Sequence, residues 1–180
     1  MKLALLLLVL QGCLGALDTL WYHEWKQQLP SRRAARLELR LHAIRDFAYT
    51  ILFGSLAWFV WGGALAWLLA VLLFFEICVT LWDFVEEDRH RPLPPGERVM
   101  HTLMAILYGA FLAYLIPEML LWTKQPTGWH LVSYGWLSMI MSAMAIGVTL
   151  SGIRDLVASF SIKTASVQSR EGVELPSRKL

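Results

Sequence analysis

Five apolar blocks alternate with polar stretches along this chain, and each block is near the length a helix needs to cross a hydrocarbon layer. They fall at roughly residues 3–22, 46–61, 64–84, 101–122 and 131–153, against the ~20 residues a spanning helix requires. The second block is the shortest. A helix starting at Ser31, after Pro30, extends it through "RRAARLELRLHAIRDFAYTILF", with Ser31 placed as N-cap. Gly62-Gly63 predicts a tight turn into the third block, "RPLPPGE" breaks the chain between the third and fourth, and "TKQPTG" does so between the fourth and fifth. Pro117 falls inside the fourth, where neighbouring helices can satisfy the carbonyl it frees. From about Ser159 the chain turns polar and predicts a mobile tail. The pattern predicts an all-α integral membrane protein, a five-helix transmembrane bundle over residues 1–158 with a tail at 159–180.

Basic residues orient this bundle. Lys26, Arg32, Arg33, Arg36, Arg40 and Arg45 lie between the first two spans, and Arg89, Arg91 and Arg98 between the third and fourth. Further basic residues follow the fifth, while Lys2 and Lys124 stand on the other side. The positive-inside rule then puts the N-terminus outside and the C-terminus in the cytoplasm, the arrangement of a bacterial inner-membrane protein. Trp61, Trp122 and Trp129 sit at span ends, where an aromatic belt belongs. The N-terminal "MKLALLLLVLQGCLGA" also has features of a cleaved signal, Gly12-Cys13 resembling a lipid-attachment site. A one-lysine n-region and an apolar block running on to Leu17 favour a retained span.

Composition adds little beyond this. The chain is 57% hydrophobic with a net charge of +2, well above the apolar share of a soluble domain. Its arginines lie at headgroup depth, so no nucleic-acid surface is expected and the bilayer is the expected partner. Cys13 and Cys78 both fall in spans, as small apolar packing residues rather than a disulfide.

The ionisable residues carry the chemistry. A charged group deep in a bilayer is costly and usually has a partner or a purpose, and here the acids and histidines gather at the cytoplasmic ends of the helices. Glu38, His42 and Asp46 form one stripe at about 100° per residue, continued by Tyr49. Glu76, Asp83, Glu87 and His90 form another, about 60° wide. Glu97 and His101 share a face with Tyr108. Three stripes at similar depth predict one inward-facing site. The first span contributes His23 and Glu24 more readily than Asp18, because His23 points about 140° away from Asp18 on a regular helix.

Carboxylates with imidazoles suit two iron ions, or manganese or zinc. The candidate metal ligands are therefore His23, Glu38, His42, Asp46, Glu76, Asp83, Glu87, Glu97 and His101, with Tyr49 and Tyr108 as candidate catalytic residues. The arrangement looks like the four-helix di-iron carboxylate proteins in kind, but their Glu-x-x-His spacing is replaced here by i, i+4 pairs. A b-type haem held by His42 and His101 is the lesser cofactor alternative. The fifth span, with Arg154 and Asp155 at its inner end, is expected to cover the bundle rather than supply ligands. Two functions follow: an oxidoreductase acting on an apolar or lipid substrate, or a non-catalytic membrane protein (scaffold or ion carrier) whose acids form salt bridges with Arg36, Arg45, Arg89 and Arg98.

Overall fold

The computed structural model describes residues 1–29, 35–90 and 93–171. Its elements are α1 (Lys2–Asp18), a π-helical segment (Thr19–Lys26), α2 (Arg36–Leu56), β1 (Phe59–Gly62), α3 (Ala64–His90), α4 (Pro95–Trp122), β2 (Gly128–Leu131) and α5 (Trp136–Glu171). Lys2–Lys26, Ala64–Arg89, Pro95–Trp122 and Trp136–Ser161 are each long and apolar enough to cross a membrane. Among the described residues four helices thus meet that standard, and α2 does not, because its first half carries Arg36, Glu38, Arg40, His42, Arg45 and Asp46. The expected helix start at Ser31 lies outside the described residues, as do Arg32, Arg33 and Arg91, the side chain of His90 and the last part of the expected tail, 172–180.

The helices close a ring in the order α1, α4, α3, α2, α5 and back to α1. The α2/α5 and α1/α4 seams are the most extensive, and the α3/α4 and α1/α5 seams the slightest. Inside the ring, the end holding the N-terminus is filled by side chains with no exposed surface, including Leu5, Leu8, Leu52, Phe53, Leu56, Leu69, Phe111 and Leu115. The outer surface is also apolar: Leu6, Leu10, Trp67, Phe74, Ile106, Leu121 and Ile146 are all exposed. A soluble monomer does not present so continuous an apolar coat. Such a coat is consistent with a membrane protein, in which helices associate by close packing rather than by escape from water. Cys13 and Cys78 belong to this coat: both are free and exposed, not packed inside as expected.

The fold is mostly helical, as expected, with one short ribbon added. β1 and β2 pair antiparallel, Phe59 with Leu131 through to Gly62 with Gly128, which corrects two span limits. Residues 59–61 leave the second helix, and the fifth begins at Trp136 instead of 131. Both strands are aromatic and bounded by glycine, a strand signal that apolarity alone absorbs into the neighbouring spans. The ribbon lets backbone at the bundle's end satisfy its own hydrogen bonds. Trp61 is buried beneath it, its ring 4.5 Å from that of Trp129, so Trp61 serves as packing and not as a belt residue. Beside the ribbon, the Met1 ammonium pairs with Glu118.

Gly63 links β1 to α3 at φ +59°, and a Cβ there would lie 2.7 Å from Thr127 backbone. Only glycine adopts that conformation without strain. Gly63→Ala is therefore expected to cost roughly 1–3 kcal/mol, read as a lower unfolding midpoint in detergent. An unchanged midpoint would contradict this turn. On α2, Glu38 and His42 are buried whereas Arg36 and Arg40 are part-exposed, Arg40 lying 5.3 Å over the Phe160 ring. Single cysteines at 36 and 40 should react with a polar thiol reagent far faster than those at 38 and 42, and equal rates would mean that this face is wrongly assigned.

A candidate metal centre at one end of the bundle

At the end opposite the ribbon, four elements each turn a pair of ionisable side chains inward. On α2, α3 and α4 the pairs are Glu38/His42, Asp83/Glu87 and Glu97/His101, each at i, i+4, which sets both members on one face. α4 can begin its pair in the first turn because Pro95 starts the helix, a position where proline's missing N–H costs nothing. Glu97 there also meets the positive end of the helix dipole.

The first segment supplies the pair that spacing on a regular helix seemed to forbid. After Asp18 the chain is π-helical, and Gln27 N–H donates to Tyr22 O at 2.8 Å. Bonding from i to i+5 stacks residues five apart, and such segments are rare and are frequently found at functional sites. Asp18 and His23 are five apart, and His23 Nε2 lies 3.4 Å from Asp18 Oδ2. Asp18, not Glu24, is the acid that joins the cluster, since Glu24 pairs instead with Arg154. α5 also contributes: buried Asp155 brings Oδ2 to 3.9 Å from His42 Nδ1. α-Helical spacing turns Asp18 away from His23, and a fifth span with only Arg154 and Asp155 at its inner end reads as a cover for the bundle, so neither acid is marked by the sequence.

Glu87 is central. Its Oε1 lies 3.8 Å from His42 Nε2 and 4.0 Å from His23 Nε2, while its Oε2 lies 3.5 Å from His101 Nδ1. His101 Nε2 faces Asp18 Oδ2 at 3.1 Å, and His23 Nε2 faces Glu97 Oε1 at 3.6 Å. The His23 ring stacks on His42 at 4.5 Å, and the His101 ring stacks on Phe84 at 5.0 Å. Asp18, His23, Glu38, His42, Asp83, Glu87, Glu97 and His101 are all nine-tenths buried or more.

Two groups of donor atoms have the spacing of a coordination sphere. His23, Glu87, Glu97 and His101 place one donor each within 4.8 Å of one another, and so do Glu38, His42 and Glu87. Donors on opposite sides of one ion stand about 4 Å apart, twice a metal–ligand bond. Glu87 belongs to both groups.

Other expected ligands lie outside these groups. Asp83 is beside the second, 3.1 Å from His42 Nε2, but the same Oδ2 accepts from Arg45 at 2.9 Å. Asp46 turns toward α5, where it meets Ser151 and the backbone near Gly152. Glu76 stands apart, buried, accepting from Thr80 Oγ1 at 2.7 Å, with Tyr49 and Tyr108 near its carboxylate. Of the arginines expected to neutralise the acids, Arg45 does so at Asp83 and Arg89 reaches Glu86 at 3.7 Å.

Next to these donor groups a cavity of about 640 Å³ extends up the bundle axis. All five helices line it, with Asp18 and Arg45 at the cluster end and Phe53 toward the sealed end. Gly15, Gly109 and Gly147 leave open space on its walls, where an added Cβ would touch nothing within 4 Å. Comparison with known proteins gives no match: no family model, curated sequence or solved structure is similar to this chain.

The Arg45–Asp83 pair has a measurable consequence. Removing one partner of a buried pair strands a charge and costs about 3–5 kcal/mol, whereas replacing both with apolar groups is often neutral. Arg45→Met should lower stability by that order, and Arg45→Met with Asp83→Leu should recover most of it. Equal destabilisation by the single and double variants would show that Asp83 is held chiefly by something other than Arg45.

Proposed function

We propose that the chain is a membrane metalloenzyme whose dinuclear centre, bridged by Glu87, works at the inner end of the apolar cavity. The observation that carries this reading is the position of Glu87, which belongs to both donor groups: its Oε1 lies 3.8 Å from His42 Nε2 and 4.0 Å from His23 Nε2, and its Oε2 lies 3.5 Å from His101 Nδ1. A carboxylate so placed can hold two ions side by side. Carboxylate and imidazole donors suit iron, manganese or zinc, and two iron ions would supply redox chemistry to a substrate in the cavity. The His23 ring, stacked on His42 and 6.5 Å from His101, fills the space a macrocycle between those histidines would need. This favours ions over haem.

The same reading includes five spans, with α2 crossing beside α5. Its support is that Leu52, Phe53, Leu56 and Ala57 at the far end of α2 are fully buried in the common core. The basic residues favour an N-terminus outside and a metal centre in the cytoplasmic leaflet. The substrate is then an apolar or lipid molecule arriving within the bilayer, through the slight α1/α5 or α3/α4 seam. Transport is the poorer use of this architecture, because the ring's other half is packed with leucine and phenylalanine. The rival with an observation in its favour is a structural network of ion pairs, for which Arg45 on Asp83 and Arg154 on Asp155 speak.

Elemental analysis of protein purified in detergent without chelator separates the two. Two equivalents of a first-row metal are expected in the wild type, about one in His42→Ala and in His101→Ala, and none in Glu87→Ala, each variant remaining inserted. Folded wild-type protein without metal, even after incubation with ferrous, manganous and zinc salts, would leave the ion-pair network as the answer. Full metal content in Glu87→Ala would remove the bridge.

A further inference from the structure

Gln11 precedes Asp18 by seven residues, Tyr49 follows His42 by seven, Glu76 precedes Asp83 by seven, and Tyr108 follows His101 by seven. Seven residues are two helical turns, a rise of about 10 Å with a rotation of only about 20°. The chain therefore repeats its inward polar layer once, two turns deeper, on the same faces of the same four helices. The first layer is rich in acid and imidazole. The second holds an amide, two phenols and one carboxylate. On α5 the matching residue is Val148, so that side of the second layer is apolar. All five residues line the same cavity, and above them the bundle is closed by Phe53, Phe111 and Leu115.

This second layer is not a closed hydrogen-bond network. Gln11 and Tyr108 are each 9% exposed. Gln11 Oε1 and Tyr108 Oη make no hydrogen bond of ordinary geometry among the described residues, although Tyr108 faces the Glu76 carboxylate and Gln11 faces Tyr49. A buried polar group left unpaired carries a desolvation cost, and in native structures it needs a reason. The two orphans are complementary: Gln11 Oε1 can only accept, whereas Tyr108 O–H can donate. The Tyr49 and Tyr108 rings are 6.3 Å apart, and Glu76, already receiving Thr80, has further acceptor capacity on its carboxylate. A hydroxyl group both donates and accepts, so one hydroxyl can satisfy Gln11 or Glu76 and Tyr108 together. An ether or a carbonyl can only accept, and would leave the acceptor Gln11 Oε1 unsatisfied.

We propose that Gln11, Tyr49, Glu76 and Tyr108 form a hydroxyl-binding subsite at the closed end of the cavity, which orients an otherwise apolar alcohol or phenol with the rest of its length toward the metal-binding groups. The cavity volume is that of a small-molecule site, and its remaining walls are largely apolar. Glu76 is in this assignment a binding residue and not a ligand. The role of the alcohol as substrate rests on the metal-centre reading above. Its binding does not, because no residue of the subsite belongs to either donor group.

The test is photolabelling in lipid nanodiscs with a twelve-carbon primary alcohol carrying a mid-chain diazirine, the labelled residues being found by peptide mass spectrometry. Label is expected on cavity residues such as Ile77, Phe84 or Met104. Unlabelled dodecanol should compete about tenfold better than dodecyl methyl ether, the factor expected for one good hydrogen bond to a buried group. An alkylphenol set against its methyl ether tests the aromatic source of the same hydroxyl, and the stronger competitor identifies which source fits. Gln11→Leu, which removes the unpaired acceptor, should abolish most of the preference. Tyr108→Phe should weaken alcohol and ether alike, because both can accept from the phenol, and Glu76→Gln should weaken the preference while the protein elutes as the wild type does. His101→Ala should keep the preference whether or not metal is bound, so that loss of the metal reading and loss of the subsite are separate results. Equal competition by both alcohols and their ethers, label confined to the lipid-facing surface, or a preference unchanged in Gln11→Leu would each overturn the subsite.

Discussion

Burial of like charges is the constraint on which this architecture turns. Asp18, Glu38, Asp83, Glu87, Glu97 and Asp155 are all buried at one end of a helical ring, where carboxylates are far more expensive than in water. Arg45 and Arg154 meet two of them, at Asp83 and Asp155, on the α2 and α5 side. Between those flanks the acids approach three imidazoles at distances of 3.1 to 4.0 Å. Coordination to metal is one of the few ways to retain such groups in an interior. A helix rotation of one residue would carry an acid out to lipid, so the cluster also dictates which face each helix turns inward.

The rest of the bundle can be understood as what permits that concentration. The far end is sealed by leucine and phenylalanine packed without exposed surface, and the ribbon of β1 and β2 ties off backbone that no helix satisfies. The π-helical segment has the opposite effect at the near end. It gives up regular bonding over Thr19–Lys26 and in return stacks His23 over Asp18. Local irregularity is thus placed where a pair of side chains must meet, and regular structure where only packing is needed.

Between the two ends the polar layers repeat at the interval of two helical turns, and the space between them remains open. Gly15, Gly109 and Gly147 keep its walls free of side chains. The slight seams between α3 and α4 and between α1 and α5 face the surrounding apolar surface. The cavity between the layers is lined largely by apolar side chains, with acids and imidazoles at one layer and an amide, two phenols and a carboxylate at the other.

Period and polarity are local properties, and they were legible in the sequence. Residue spacing alone set Glu38 with His42, Asp83 with Glu87 and Glu97 with His101, because side chains four apart share a helix face whatever the helix packs against. Block lengths likewise marked the long apolar helices. What depended on tertiary structure was which faces meet. Asp155 joins the cluster only because α5 lies along α2, and Asp18 only because the chain winds as a π-helix there, a choice that α-helical spacing cannot signal. Glu76 shares its stripe with Asp83, yet it lies two turns deeper beside Tyr49 and Tyr108, so a common face did not make a common site. The strands escaped notice for a related reason: "FVWG" and "GWHL" are apolar enough to read as span ends, and only their mutual pairing, across a sequence gap that holds two helices, makes them a ribbon.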